Sequence, residues 1–422
     1  MTGFSSAAAR LDQAGPFLLG ALALTGVFAR GWVNIAYGLL FLWGVTLWVS
    51  AVRDRRLPRP PLPPARWAAG LAVFALTWLA AVLAGGQPAA GLKELASRLY
   101  FLALPLVAWP VFARRPDFPA RLPLLWGLGL FIAAALTFRE GGYQLICLRA
   151  KAHLGIIDLG SVLGQLTPVM VAALLKALSV GRRRETAFFA LALAAAGLAM
   201  TQNCSRQTLL AAPALSLLML WAYRRRFSHK PRLFLPALTL AVALVTLLPL
   251  AGGGGLRFQR TLEPASTSEP GSASVVLNST DSWRVTLWRH GWKTFLAHPG
   301  LGQGPGSGFQ LKARFGPGEE TVYHTHNLFI NVLAKTGLVG FFGFMALHLA
   351  PLSLLWPHRR SRDPETFFWV WAALAVNLQF LLNGITDWVF GVMAMMYIHW
   401  TVTAAALWQT TGRKESAYGQ TP

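Results

Sequence analysis

The sequence predicts an all-helical protein that crosses a membrane many times. Of its 422 residues 54% are hydrophobic and only 13% charged, and its mean hydropathy is +0.46. Soluble domains carry about 25% charged residues. The apolar runs repeatedly approach the roughly 17–25 residues that cross a bilayer as a helix. The third observation is charge placement: arginines gather in every second loop, the pattern of cytoplasmic loops in multi-pass proteins.

The expected spans, in order, are 14–30, 31–52, 67–85, 96–113, 122–138, 160–180, 187–203, 207–223, 233–251, 326–356, 367–384 and 389–409. The first follows a weakly charged start with Arg10 and has no convincing cleavage site, so it is expected to stay as a helix. Arg53, Arg55, Arg56, Arg59 and Arg66 flank the second loop boundary; Arg114, Arg115 and Arg121 follow the fourth span, and Arg182 to Arg184 the sixth. Arg224 to Arg226, Lys230 and Arg232 follow the eighth, Arg359, Arg360 and Arg362 the tenth, and Arg413 and Lys414 the last. Both termini are therefore expected in the cytoplasm. A net charge of +22, with 38 Lys+Arg against 16 Asp+Glu, would point to nucleic acid in a soluble protein; here the loops carry it. Leu57 to Pro64 reads as a stiff polyproline linker. Cys147 and Cys204 are too few for a disulfide framework; they are expected as free buried thiols, with a pair the alternative if both face an oxidising compartment. The spans are nearly free of charge and no internal repeat is found, which argues against a transporter.

The elements on the outer side carry the chemistry. Thr201-Gln-Asn-Cys-Ser-Arg-Gln-Thr208 turns between the seventh and eighth spans, with Ser205 as a natural N-cap. Arg206 in a first helical turn opposes the helix macrodipole, and a bound anion would relieve that conflict; snorkelling to headgroups is the plainer account. Some 70 residues follow the ninth span, a long loop of the kind that is functional or disordered. Its second half holds Arg284-Val-Thr-Leu-Trp-Arg-His-Gly-Trp-Lys-Thr-Phe-Leu-Ala-His-Pro299, a helix stopped by Pro299-Gly300. Arg284, Trp288, Trp292 and Phe295 fall on one stripe, expected to be buried, with Arg289 and Lys293 opposite, on a solvated or headgroup face. Arg284 on the aromatic face is either a stacked cation or an anion-binding group. The glycine-dense run Gly300 to Phe309 is a tight re-entry or a backbone cradle, and lacks the Gly-Lys-Ser/Thr of a P-loop.

His324-Thr-His-Asn-Leu-Phe-Ile-Asn-Val-Leu-Ala-Lys-Thr-Gly-Leu-Val-Gly340 then opens the tenth span. If the helix starts at His326, then Ile330, Leu333 and Gly337 share its face, and Gly337 and Gly340, roughly 16–21 Å below, would let a neighbouring helix pack closely. Asn327 is expected to cap or position. Asp387, in Asn383-Gly-Ile-Thr-Asp-Trp388, is a turn residue or an orienting partner for His326 or an arginine. Outer-face acids such as Glu94, Glu140, Asp158, Asp281, Glu319 and Glu320 are scattered with no Asp-x-Asp pair, and His324 with His326 lacks further ligands, so no metal site is expected.

Together these pieces resemble the bacterial O-antigen ligase and O-antigen polymerase superfamily. The family pattern of His, then Asn, Ser or Gln, nine residues, then Gly-x-x-Gly is met by His326-Asn327 and Gly337-Leu-Val-Gly340. Ser205-Arg206 matches its Ser-Arg turn, and Arg284-Val-Thr-Leu-Trp288 with Pro299 to Gly308 its periplasmic Arg-x-x-x-Trp helix and glycine turn. The resemblance implies a GT-C-like fold with about twelve spans and three parts: N-terminal helices (1–186), a ligase-like core (187–345, with periplasmic loop 252–325) and C-terminal helices with a short tail (346–422). It implies ligation of O-antigen from undecaprenyl diphosphate onto lipid A–core at the periplasmic face of the inner membrane, without metal or cofactor, with inversion if attack is direct. His326, Arg206 and Arg284 would be catalytic; Ser205, Asn327, Arg289, Lys293 and Asp387 join Arg206 and Arg284 as candidates for binding diphosphate or acceptor. The partners implied are the lipid-linked donor, the acceptor and membrane lipids, with no nucleic acid, and the protein is expected as a monomer. A polymerase, a protein O-oligosaccharyltransferase and, from another class, a lipid-linked glycan flippase are the competing readings.

Overall fold

The computed structural model describes residues 2–53, 61–140, 156–203, 205–227, 275–276, 282–306, 311–315 and 318–412. Nine helices come first: α1 Thr2–Thr25, α2 Arg30–Arg53, α3 Ala65–Ala84, α4 Pro88–Leu102, α5 Leu104–Arg114, α6 Phe118–Glu140, α7 Ile156–Val180, α8 Arg183–Asn203 and α9 Arg206–Tyr223. After them stand β1 Val275–Val276, α10 Ser282–Ala297, β2 Leu311–Phe315, β3 Gly318–Val322, α11 Leu328–Leu355, α12 Pro364–Thr386 and α13 Met393–Leu407. Among the described residues eight helical segments are long and apolar enough to cross a membrane. The protein is thus a multi-pass helical membrane protein. The expected span 233–251, the start of the polyproline linker, Cys147 and Cys204 lie outside the described residues.

Helix boundaries follow local chemistry. The segment expected at 96–113 is two helices: it starts at Pro88, whose missing N–H costs nothing at a first turn, and re-starts at Leu104 just before Pro105. α7 is buried along nearly its whole length and forms the centre of the bundle. Gly164 lets α12 approach it, since a Cβ there would fall on the Gln379 amide. α3 and α11 meet through Gly70, where a Cβ would sit 2.9 Å from Ala350 Cβ, and through Gly343, where it would fall on Thr77. The glycines expected to serve helix packing were Gly337 and Gly340; Gly343 and Gly70 do so instead.

The long outer loop is more structured than its composition promises. β1 runs parallel to β2, and β2 pairs antiparallel with β3 in the register Leu311↔Val322 to Phe315↔Gly318. The helix of this loop is legible in the sequence; its small sheet is not.

The spans are also less free of charge than composition indicates. Lys335 of α11 donates to both Glu94 oxygens at 3.0 and 3.1 Å, and Arg98 reaches Glu94 at 3.4 Å. Lys176 pairs with Glu365 at 2.7 Å. The Lys335–Glu94 and Lys176–Glu365 pairs each join two helices, and Arg98–Glu94 lies one turn apart in α4, so the ions are neutralised where water is scarce.

Candidate functional site

The helix expected from His326 begins two residues later. Asn327 is the N-cap of α11, its Oδ1 accepting from Ile330 N–H at 3.0 Å, while its Nδ2 donates to the Ile385 carbonyl at 2.8 Å. One side chain therefore closes the helix end and ties it to the end of α12. Thr325 is buried, with its N–H donated to Asn331 Oδ1 and its hydroxyl to the Asn327 carbonyl. Between these two anchors His326 has φ +49°, the left-handed region. An Asn capping residue with extended backbone needs its predecessor to turn sharply, and the hydrogen bonds on either side hold that turn. His326 is consequently off the α11 surface, so the face shared with Ile330, Leu333 and Gly337 does not exist.

The turn aims the His326 ring at Asp387. Its Nδ1 lies 3.0 Å from Asp387 Oδ1, which also accepts the Trp388 N–H at 2.8 Å. Burial pushes the Asp387 carboxyl up, but the His326 hydrogen bond and charge, the Trp388 N–H and the Arg284 charge outweigh it and hold the group below the ordinary carboxylate value. An ionised carboxylate only accepts, so Nδ1 carries the hydrogen and donates, and Nε2 is the nitrogen left to accept. The His324 ring packs on His326 with centroids 4.1 Å apart. Burial first, and then the His326 charge, push its imidazole down to about 4.

α10 brings Arg284 to the same place. Gly291 of α10 allows close contact with the start of α11: a Cβ there would lie 2.5 Å from Thr325 Cγ2 and 2.8 Å from Ile330 Cγ2. At 100° per residue, Leu287, Trp288, Gly291 and Phe295 bracket Arg284, and Leu287, Gly291 and Phe295 are buried. Trp292, expected on the buried stripe, is 47% exposed because docking through Gly291 turns it to the edge. Arg289 and Lys293 are exposed on the far side. Ser205 stands at the N-cap of α9 without a side-chain capping bond, facing Gly160 of α7. Asp158, in the first turn of α7, lies within electrostatic reach of Asp387. The α8–α9 turn is therefore at the same end of the bundle. Arg206 opens α9, and its side chain lies outside the described residues.

The glycine run is a re-entry in which the Gly302, Gln303 and Gly304 N–H groups are taken up by backbone carbonyls. α11 is broken at Gly337, with φ +60° and ψ −165°. The break frees the Ala334 and Lys335 carbonyls, which accept from Gln303 and Gly304 N–H at 3.0 and 2.9 Å. Leu338 and Val339 N–H donate in return to the Pro299 and Gly300 carbonyls. Next to this break Lys335 meets Glu94 and Arg98; Arg98 also donates to the Phe390 carbonyl at 2.8 Å and stacks over Trp388 at 5.3 Å. This ion group braces Trp388, the neighbour of Asp387. Its only mark in the sequence is rare charges inside apolar helices, with Glu94 and Arg98 one turn apart. Among the described residues no group of three or more His, Cys, Asp or Glu is disposed to hold a metal.

The fold and this end of it define a multi-pass membrane protein with a histidine–carboxylate pair and a cationic helix gathered outside its spans. Residues 189–345, rather more than a third of the chain, match the family model described as O-antigen ligase, which supports membership of the O-antigen ligase/polymerase superfamily. The match takes in Ser205, Arg206, α10 and His326-Asn327 and stops before Asp387. No curated protein matches the chain.

Proposed function

We propose that the protein ligates O-antigen polysaccharide, carried on undecaprenyl diphosphate, to a sugar of lipid A–core at the periplasmic face of the bacterial inner membrane. The observation that carries this reading is the His326–Asp387 pair beside Arg284. Asp387 holds the His326 tautomer, so Nε2 takes the proton of the acceptor hydroxyl. The hydroxyl oxygen forms its bond to the anomeric carbon as the carbon–oxygen bond to the diphosphate breaks. The leaving diphosphate keeps that electron pair, and its charge is met by Arg284 and Arg206. Direct attack inverts the anomeric configuration. The chemistry needs no metal or cofactor, because the leaving group is stabilised by guanidinium charge. Arginine-rich loops at the opposite end support a periplasmic site with cytoplasmic termini.

The test is ligation in proteoliposomes with purified donor and lipid A–core. His326→Ala and Asp387→Asn are each expected to lower the rate about 10²–10⁴-fold, the range for a general base and its orientation. No product with wild type, or undiminished product with both variants, refutes the reading. In cells, deletion is expected to leave bare lipid A–core with O-antigen retained on undecaprenyl diphosphate; core capped by a single repeat would indicate a polymerase instead.

A further inference from the structure

Opening at the end of the bundle opposite His326 and Asp387 and running along the bundle wall, a groove of about 1130 Å³ is lined by α9, α11, α12 and the turns that follow α9 and α11. It exceeds the roughly 300–1,000 Å³ of ordinary small-molecule pockets. Its wall is apolar, with Leu352, Leu374, Leu378 and Leu381 beside the rings of Phe367 and Trp371. From Phe367 to Leu381 the α12 wall runs about 21 Å at 1.5 Å per residue, deeper than the ~15 Å hydrocarbon of one leaflet. The rim holds Arg224, Arg225, Arg226, Arg359, Arg360 and Arg362.

The rim is a single built structure. Arg226 crosses from the end of α9 to donate to the Ser361 carbonyl at 2.6 Å, joining the two arginine segments. Arg224 stacks over Trp221 at 4.2 Å, Arg226 over Phe367 at 4.1 Å and Arg359 over Trp356 at 4.3 Å. Trp221 and Trp356 are themselves 54% and 53% exposed, as side chains at a bilayer interface are. The nearby acids are engaged: Glu365 is held by Lys176 and Trp369, and Asp363 caps α12 through Thr366 N–H. Positive-inside bias accounts for arginines in these loops, but it does not account for their closure over a leaflet-deep apolar groove.

We infer that this groove is a binding site for an anionic glycerophospholipid of the surrounding leaflet, with the acyl chains along α12 and the phosphates under the arginine rim. Charge complementarity selects the headgroup. The inference stands apart from the ligation reading, since the arginine rim that selects the headgroup meets the start of α12, about 34 Å along that helix from Asp387, and the apolar wall ends at Leu381, about 9 Å short of it.

The experiment uses the full chain in detergent, with cardiolipin and phosphatidylethanolamine added in turn and bound lipid counted by native mass spectrometry. Cardiolipin is expected to be retained in preference to phosphatidylethanolamine. Arg360→Gln with Arg362→Gln is expected to weaken cardiolipin binding about 25-fold, near fivefold per arginine. Leu378→Trp, which fills the groove without touching charge, is expected to lose the bound lipid as well. Equal retention of the two lipids, undiminished cardiolipin in both variants, or displacement of cardiolipin by equimolar undecaprenyl phosphate would overturn the assignment.

Discussion

His326 is held by its neighbours more than by its own contacts. Thr325 and Asn327 each spend their polar groups on fixing the backbone, and the left-handed His326 between them is the result. Stored conformations of this kind cost about 1–3 kcal/mol and persist where the surroundings over-determine them. His324 is the titrating reporter of this packing. Its imidazole is pushed from the ordinary ~6.5 to about 4, by burial and then by the His326 charge. Between those values the unfolded chain binds more protons than the fold, so stability rises with pH across that window and is lost as pH falls through it. The Asp387 carboxylate has a depressed value, so its contribution is lost only at lower pH, as the medium passes through that folded value. His324→Gln is therefore expected to flatten the unfolding midpoint between about pH 6.5 and 4. Parallel profiles for variant and wild type, recorded in detergent, would sink this account.

At the scale of elements, the joint between α11 and the glycine turn positions the site. Two carbonyls and two N–H groups freed by the break at Gly337 are exchanged with the turn, so the kink costs no unsatisfied backbone group. The exchange requires backbones in contact: a Cβ on Gly337 would fall on the Gly300 carbonyl, and one on Gly302 on the Lys335–Thr336 peptide. Both residues also have positive φ. Gly300 faces open space and needs neither freedom. Gly337→Ala and Gly302→Ala are each expected to destabilise by at least about 1–3 kcal/mol, the cost of a left-handed residue alone. Gly300→Ala is expected to be within about 0.5 kcal/mol of wild type. Thermal unfolding of the three variants checks the ranking, and a Gly300→Ala loss matching Gly337→Ala would show that the turn is held by something else. The Glu94–Lys335–Arg98 group lies beside this joint and carries it to Trp388.

Over the whole molecule, charge separates the two ends. Arg224 to Arg226 and Arg359 to Arg362 meet at one end, and Arg226 binds the Ser361 carbonyl there; His326, Asp387, Asp158 and Ser205 gather at the other. The proposed orientation predicts opposite accessibility of these ends. In a Cys147→Ser, Cys204→Ser background, a membrane-impermeant maleimide added to cells with a permeabilised outer membrane is expected to label His298→Cys at once. Arg360→Cys should react only after lysis. The reverse pattern would turn the protein over and with it the proposed face of the reaction.

The sequence by itself determined what depends on composition and local order. Apolar run length makes the helices, arginine placement orders the loops into two sets, and the His-Asn to Gly-x-x-Gly spacing carries the resemblance to the superfamily whose model residues 189–345 match. Those properties are written along the chain, so no contact has to be known to read them. Tertiary structure decided the rest. Asn327 can cap α11 locally through the Ile330 N–H, but its tie to the Ile385 carbonyl, 58 residues away, is not written in the local sequence. Asp387 reads as an ordinary turn residue until α12 brings it to His326, and Gly337 reads as a helix-packing glycine until the loop at Gly300 fills the space beside it. Lys335 in an apolar helix is unaccountable without Glu94 from α4. The physical reason is common to all four: hydrogen bonds and ion pairs between distant segments are fixed only when packing brings their partners within about 3 Å.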